Sequence, residues 1–512
     1  MTQDAHYLLA DKPAGVPTHS PDGQRQGFVE YLARQTGEQL RVCHRLDKET
    51  SGVLVLARHR EAARELADLF AQHQVDKRYW MITDRQPQLD DEIEISTDID
   101  KRAGTWVSSP PSVSGNATSY FKRLRTTGAY TLWEVRPTTG KPHQIRLHAQ
   151  QLGIPALGDL VHDGTAFPRV MLHAKELRFT SEHAGQIVHC APAPPFFADM
   201  HLLADLDLST WLADLDRRRR LFAINEESTL RLVHNDDLRC DLFGEVCWFY
   251  WYRDRAPQQP DLDRIATFAQ AAGARHWKVQ PMHDRGGKPQ QNQHYASDAL
   301  ENWTAAEHGL RYHCKAAQGL SPGLFLDQRQ NRLWVKHNAK DKKVLNLFCY
   351  TAGFSLCAAA AGAHQIVNVD TSKNTLDWAR ENFALNNLDD NQVEFWTADA
   401  RYFLRGCHKR QRFFDLIICD PPSFARSTHG VFKIDNDLPD LVQQLLAILE
   451  PGGTVLLSTN YEKWNLAQLE DMVQQSANNG HVTITPTPPP DWDFELPGQE
   501  PLMKSLFLQS KS

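Results

Sequence analysis

At 512 residues, with 41% apolar and 23% charged side chains, the chain has a globular composition and more length than one core can use, so two to four domains are expected. A net charge of −7 excludes a uniformly basic nucleic-acid coat, and no apolar run approaches the roughly 18 residues of a membrane-spanning helix. Nine cysteines, spread singly with no CxxC pair, point to reduced thiols and away from a zinc site or disulfide frame.

In chain order, the opening MTQDAHYLLADKPAG has no basic stretch ahead of an apolar one, so no secretory leader and a cytoplasmic location are expected. Up to residue 203 the pattern is short strand-like runs broken by Gly and Pro, among them YTLWEVRP and VMLHAKELRF, with one amphipathic helix, REAARELADLFAQH. In HRLDKETSGVLVLA, a carboxylate at Asp47 stands between Arg45 and Lys48 at the mouth of an apolar strand, Val53 to Ala57. Alone, an Arg-x-Asp there reads as an ion pair. The basic runs KRYW, SYFKRLRTTG, RRRR (Arg217 to Arg220) and DQRQNR are candidate nucleic-acid contacts, although such runs are commonly just solvated faces.

Residues 204–228 are charged, glycine-free and helix-permissive, and are expected to form a helical linker. A mixed, aromatic-rich region follows over 229–338, expected to serve the second half as its RNA-binding or substrate region. From 339 to 512 strands and helices alternate, the signature of a parallel sheet covered on both faces.

The loop NLFCYTAGFS then lies at a strand's carboxyl end, where such sheets bind ligands, which makes Asn346, Phe348, Tyr350, Thr351 and Gly353 candidate cofactor contacts. Asp370 ends the next strand, suited to a ribose; Asp399 ends the third, suited to an adenine amino group. Asp420 ends the fourth and runs into Pro421 and Pro422, which hold the backbone extended and rigid beside a planar base.

DKPAG, HRLDKETSGVLVLA, DKRYW, TGKPHQIRLHAQQLGIPALGD and LHAKELRF, in that order, resemble the motif set of the RluA-type pseudouridine synthases over roughly residues 5 to 185. The resemblance implies an α+β catalytic domain over 1–203 with a mixed, largely antiparallel sheet and no cofactor. It implies Asp47 as the carboxylate that attacks or takes a proton, Arg146 as its ionic partner, Tyr79 as the ring stacked on the target base, and Arg45 as the side chain entering the space of the flipped nucleotide.

GLFLDQRQNR, LNLFCYTAGFS, VDTSKNTLDWARENFALNN and CDPPSFAR are similar to the RlmI/RlmK-type large-subunit rRNA methyltransferases over roughly 229 to 510. That similarity implies an α/β Rossmann-like class I domain that uses S-adenosylmethionine, with Asp327 to Arg329 near the cofactor. Cytosine carbon 5 needs a cysteine nucleophile, and where relatives carry one this chain reads Ser458, Thr459, Asn460; Cys419 sits in an apolar strand run. A base nitrogen, on guanine, is therefore the expected target.

The two resemblances imply a bifunctional enzyme acting on rRNA or tRNA, with no metal, no membrane and no obligate protein partner. The alternatives are one catalytic half with the other as an RNA-binding module, or methylation of cytosine carbon 5 or of a protein.

Overall fold

The computed structural model describes residues 2–20, 27–111, 113–282, 295–297, 300–317, 321–388, 391–427, 430–477, 482–494 and 501–510. The chain divides into two compact units, Met1–Ala223 and Ile224–Ser512.

The first unit is built on an 11-stranded sheet. Its interior strand Ser51–Ala57, third along the sheet, is buried at every residue, as a continuous apolar run requires. Its described strand pairs are antiparallel except one, where His173 and Ala174 run parallel beside Ser51 and Gly52. That close approach demands glycine: a Cβ on Gly52 would stand 2.2 Å from the Ala174 carbonyl oxygen, and its φ is +115°. The helix Arg60–Ala71 buries Ala62 and Leu66 against the sheet side and is capped by the His59 side chain. A second helix, Gln144–Gln151, is buried along almost its whole length and carries Arg146.

Residues 206–221 are helical, but the expected linker is a packed element of the first unit. Leu208, Trp211, Leu212 and Leu215 are buried, and Asp216 pairs with buried Arg169 at 3.0 Å. The physical reason is its apolar stripe, which the charged composition masked. Two members of the RRRR run are corrected with it: the Arg218 side chain is 2% exposed and bonded to Asp214, and Arg220 is held by Asp216 and the Pro192 carbonyl, while Arg219 is exposed.

In the second unit a five-stranded sheet over Thr229–Ala296 and the hairpin Asn302–Glu307/Leu310–Lys315 precede a seven-stranded sheet. Numbered along the chain, the larger sheet runs 3-2-1-4-5-7-6. The first five strands are Lys343–Leu347, Gln365–Asp370, Val393–Thr397, Phe414–Cys419 and Leu449–Thr459, all parallel. Alternation splits its buried residues between two cores, with Val344 on one face and Leu345 and Leu347 on the other. Strand order reverses between strands 1 and 4, which opens a crevice at their carboxyl ends. Among the described residues no helix is long and apolar enough to cross a membrane.

Candidate functional sites

The HRLDKET stretch is irregular backbone held on several sides. The Thr18 hydroxyl donates to the Leu46 carbonyl at 2.7 Å and accepts the Leu46 N–H. The His44 ring accepts the Val55 N–H and lies on Phe70; burial pushes its pKa down to about 3, so it is a neutral structural imidazole. Lys12 of DKPAG is fully buried and spends its ammonium on three carbonyls, Pro13 at 2.9 Å, Val16 at 2.7 Å and Lys48 at 3.1 Å. Burial lowers its pKa to about 7, against the opposing charges of Glu49 and Asp47.

On this frame Asp47 keeps 20% of its side chain open and faces the Arg146 guanidinium at 3.4 Å. Arg146 is 2% exposed and is locked by two bonds to buried Asp159, at 2.7 and 2.6 Å, with Glu49 at 3.7 Å. Burial works against its charge, but the bonds to Asp159 and the charges of Asp47 and Glu49 raise its pKa overall. Arg146 thus presents a fixed cation to a half-open carboxylate. Tyr79, on strand Asp76–Thr83, has its phenol pKa raised by burial and further by the charge of Asp47. Arg45 is exposed on the same loop.

Asp159 was legible only as part of a motif, and its role depends on backbone that Gly158 alone permits. A Cβ there would meet the Arg169 carbonyl at 2.0 Å, at φ +88°. The neighbouring motif residues are fasteners: His148 bonds Thr97 and Ser119, and Gln144 bonds Thr139 and Thr118.

In the second unit the crevice is a cavity of about 330 Å³, a size within the usual range for a small-molecule site. Asn346, Phe348, Tyr350, Thr351, Gly353, Asp370, Asp399, Asp420, Pro421, Pro422 and Asp327 all line it. Phe348, Tyr350 and Ala352 have φ of +54°, +50° and +63°, so three non-glycine residues hold left-handed backbone in one short loop, a strain found where ligands are gripped. Asp370 steadies that loop by accepting the Tyr350 N–H at 3.0 Å, and its other oxygen takes the Ser372 N–H; burial raises its pKa. Asp399 caps the helix Ala400–Lys409 through the N–H groups of Arg401 and Tyr402.

Asp420 accepts from the Ser458 hydroxyl and the Gln328 amide, both at 2.9 Å. Burial, with the charge of Asp327 added, raises its pKa to about 6.

Arg329 is off the cavity, contrary to expectation. It bonds both oxygens of Asp493 at 3.0 Å and the Thr229 carbonyl at 3.1 Å, because a guanidinium buried at this depth must be fully paired. DQRQNR is therefore an ion-pair network and not a basic surface, since Arg332 is likewise held by Glu307 at 2.6 and 2.9 Å. Gln328 falls within the Asp327 to Arg329 stretch expected near the cofactor, but nothing local marks its bond to Asp420, 92 residues away.

Residues 6–151 match the family model described as RNA pseudouridylate synthase, and residues 256–497 match that of the S-adenosylmethionine-dependent methyltransferases. The two halves of the chain are thus similar to two different families. The chain is 39% identical over 162 residues to a ribosomal RNA large subunit methyltransferase K/L of Shewanella oneidensis, a match covering 31% of this chain and 22% of that protein. It is 34% identical over 242 residues to the protein of that description from Pseudomonas paraeruginosa, covering 45% of this chain and 32% of the other. The chain thus spans roughly a fifth to a third of the length of these relatives.

A crystal structure described as a methyltransferase complexed with SAH superposes with a TM-score of 0.51 at 22% identity, over 71% of this chain and 98% of that one. That is a likeness of fold. The orphaned carboxylate oxygen of Asp327 and the acids at three strand ends fit the cationic cofactor of the methyltransferase domain. When bound, S-adenosylmethionine supplies an activated methyl group. Asp370, Asp399 and the strained loop line the cavity and would hold it there.

Proposed function

We propose that the chain is a bifunctional RNA-modifying enzyme. The synthase domain, of RluA type, isomerises uridine to pseudouridine without a cofactor, and the methyltransferase domain, of RlmI/RlmK type, methylates a base of RNA. The observation that carries the first activity is the Asp47 carboxylate, partly open and set 3.4 Å from an arginine that Asp159 holds fixed.

Isomerisation breaks the bond from sugar carbon 1′ to base nitrogen 1 and forms the bond from carbon 1′ to carbon 5. The proton lost from carbon 5 is balanced by one gained at nitrogen 1. Asp47 attacks or takes a proton, Arg146 keeps it ionised, Tyr79 stacks on the base, and exposed Arg45 fills the vacated space, offsetting part of an unstacking cost of a few kcal/mol.

In the methyltransferase domain a guanine nitrogen of 23S rRNA is the substrate the reading favours. Two observations support a nitrogen over cytosine carbon 5. Cys419 is fully buried with its thiol pushed up, and Cys349, which lines the cavity, has its thiol pushed up by burial as well. Neither is a ready nucleophile. Asp420, Pro421 and Pro422 position the accepting base, with Ser458 and Gln328 fixing the Asp420 carboxylate.

Nucleoside mass spectrometry of rRNA and tRNA from a deletion strain, complemented with wild type or Asp47→Asn, tests both activities. Deletion should remove one pseudouridine and one methylated base, and Asp47→Asn should restore only the methyl group. Normal pseudouridine with Asp47→Asn excludes Asp47 from the reaction.

A further inference from the structure

The charged side chains lining the methyltransferase cavity are Asp327, Asp370, Asp399, Asp420, Arg332 and Arg401. Most are already engaged within the protein. Asp370 takes two backbone N–H groups, Asp399 two more, and Asp420 takes Ser458 and Gln328. Arg332 is bonded to Glu307 and the Phe325 carbonyl, and Arg401 faces Asp399 and Asp437. Asp327 differs, because its Oδ1 is shut off from solvent and has no hydrogen-bond partner.

A buried carboxylate oxygen left unpaired carries a desolvation cost that a bound donor would relieve. Burial raises the Asp327 carboxyl pKa, the charges of Arg231 and Arg332 oppose that shift, and Asp241 adds to it. S-adenosylmethionine offers two neutral kinds of donor, the adenine amino group and the ribose hydroxyls, for which Asp399 and Asp370 are placed. It offers two cations, of which the sulfonium has no N–H or O–H to donate. The α-ammonium has three N–H donors, making it the only charged donor on the molecule.

We infer that Asp327 binds the α-ammonium group at the methionine end of S-adenosylmethionine. The inference rests on the methyltransferase reading of this cavity and assigns one end of the ligand within it. It also orients the reacting centre. Gln328, next to Asp327 in the chain, donates to Asp420 at 2.9 Å, and only two methylenes separate the ammonium-bearing carbon from the sulfonium. An ammonium seated on Asp327 therefore directs the methyl donor toward Asp420 and the Pro-Pro segment.

Isothermal titration calorimetry on the full chain tests this with S-adenosylmethionine, S-adenosylhomocysteine and 5′-methylthioadenosine, which lacks the amino-acid end. Asp327→Asn should weaken the first two by tenfold or more, about 1.4 kcal/mol, and leave methylthioadenosine unchanged. Equal weakening of all three, or of none, overturns the assignment. The desamino analogue of S-adenosylhomocysteine, titrated into wild type, gives a measurement independent of how the variant folds. It should bind at least tenfold more weakly than the parent, and equal affinity overturns the assignment. Wild type that binds none of these ligands would instead overturn the cofactor reading itself.

Discussion

Replacing Asp159 with Asn should destabilise the synthase domain more than it changes its shape. The Asp159 side chain is 1% exposed and makes two bonds, 2.7 and 2.6 Å, to an arginine that is 2% exposed. Arginine cannot discharge itself, so Asp159→Asn leaves a buried cation facing only Asp47 at 3.4 Å and Glu49 at 3.7 Å, both partly in water. Breaking a buried pair from one side costs about 3 to 5 kcal/mol. The asparagine carbonyl can retain one bond, so the lower end, about 3 kcal/mol, is expected.

For a unit of this size 1 kcal/mol moves the melting temperature by about 2 to 4 °C, which gives a fall of roughly 6 to 12 °C. Hydrogen exchange read by mass spectrometry along a thermal ramp can follow the strand Ser51–Ala57, with Lys343–Leu347 in the other unit as reference. Pseudouridine formation should fall with it, since Arg146 loses the anchor that aims it at Asp47. Melting of Ser51–Ala57 within about 2 °C of wild type would refute the claim that Asp159 holds Arg146.

Lys12→Met keeps the buried volume but strips the donor from three carbonyls, including that of Lys48 beside Asp47. At roughly 1 to 3 kcal/mol per buried group left unpaired, pseudouridine formation should drop at least tenfold while S-adenosylmethionine affinity, read by calorimetry, stays unchanged. Asp370→Ala should weaken S-adenosylmethionine binding by about 1.5 to 3 kcal/mol, the scale of a hydrogen bond to a charged group, and unchanged affinity would remove Asp370 from the ribose site. Asp420, raised from 3.8 to about 6, holds a proton in the folded state that the unfolded chain releases, so stability of the methyltransferase domain should fall as pH rises from about 4 to about 6. Urea midpoints read at Lys343–Leu347 across that window should lose this slope in Asp420→Asn.

What the sequence determined by itself follows from local rules. The alternation from 339 onward declared a parallel sheet, because each strand, helix and strand must follow one another in chain order to close a crossover unit, and the acids at the ends of Gln365–Asp370 and Phe414–Cys419 could be placed because a strand's end is a local feature. Asp47 was legible for the same reason, lying four residues ahead of the strand it introduces. Charge was not legible in this way. Arg220 of RRRR and Arg329 of DQRQNR look like basic surface until partners such as Pro192, 28 residues from Arg220, and Asp493, 164 residues from Arg329, take their guanidiniums inside. The helix at 206–221 looked like a tether because its composition is charged, yet its apolar stripe is buried against a surface that exists only once the unit has folded. Gln328 on Asp420 and Asp159 on Arg146 belong to the same class. Whether a polar side chain faces water or a buried partner is set by long-range packing, and the free energy separating those fates exists only once the chain has closed around it.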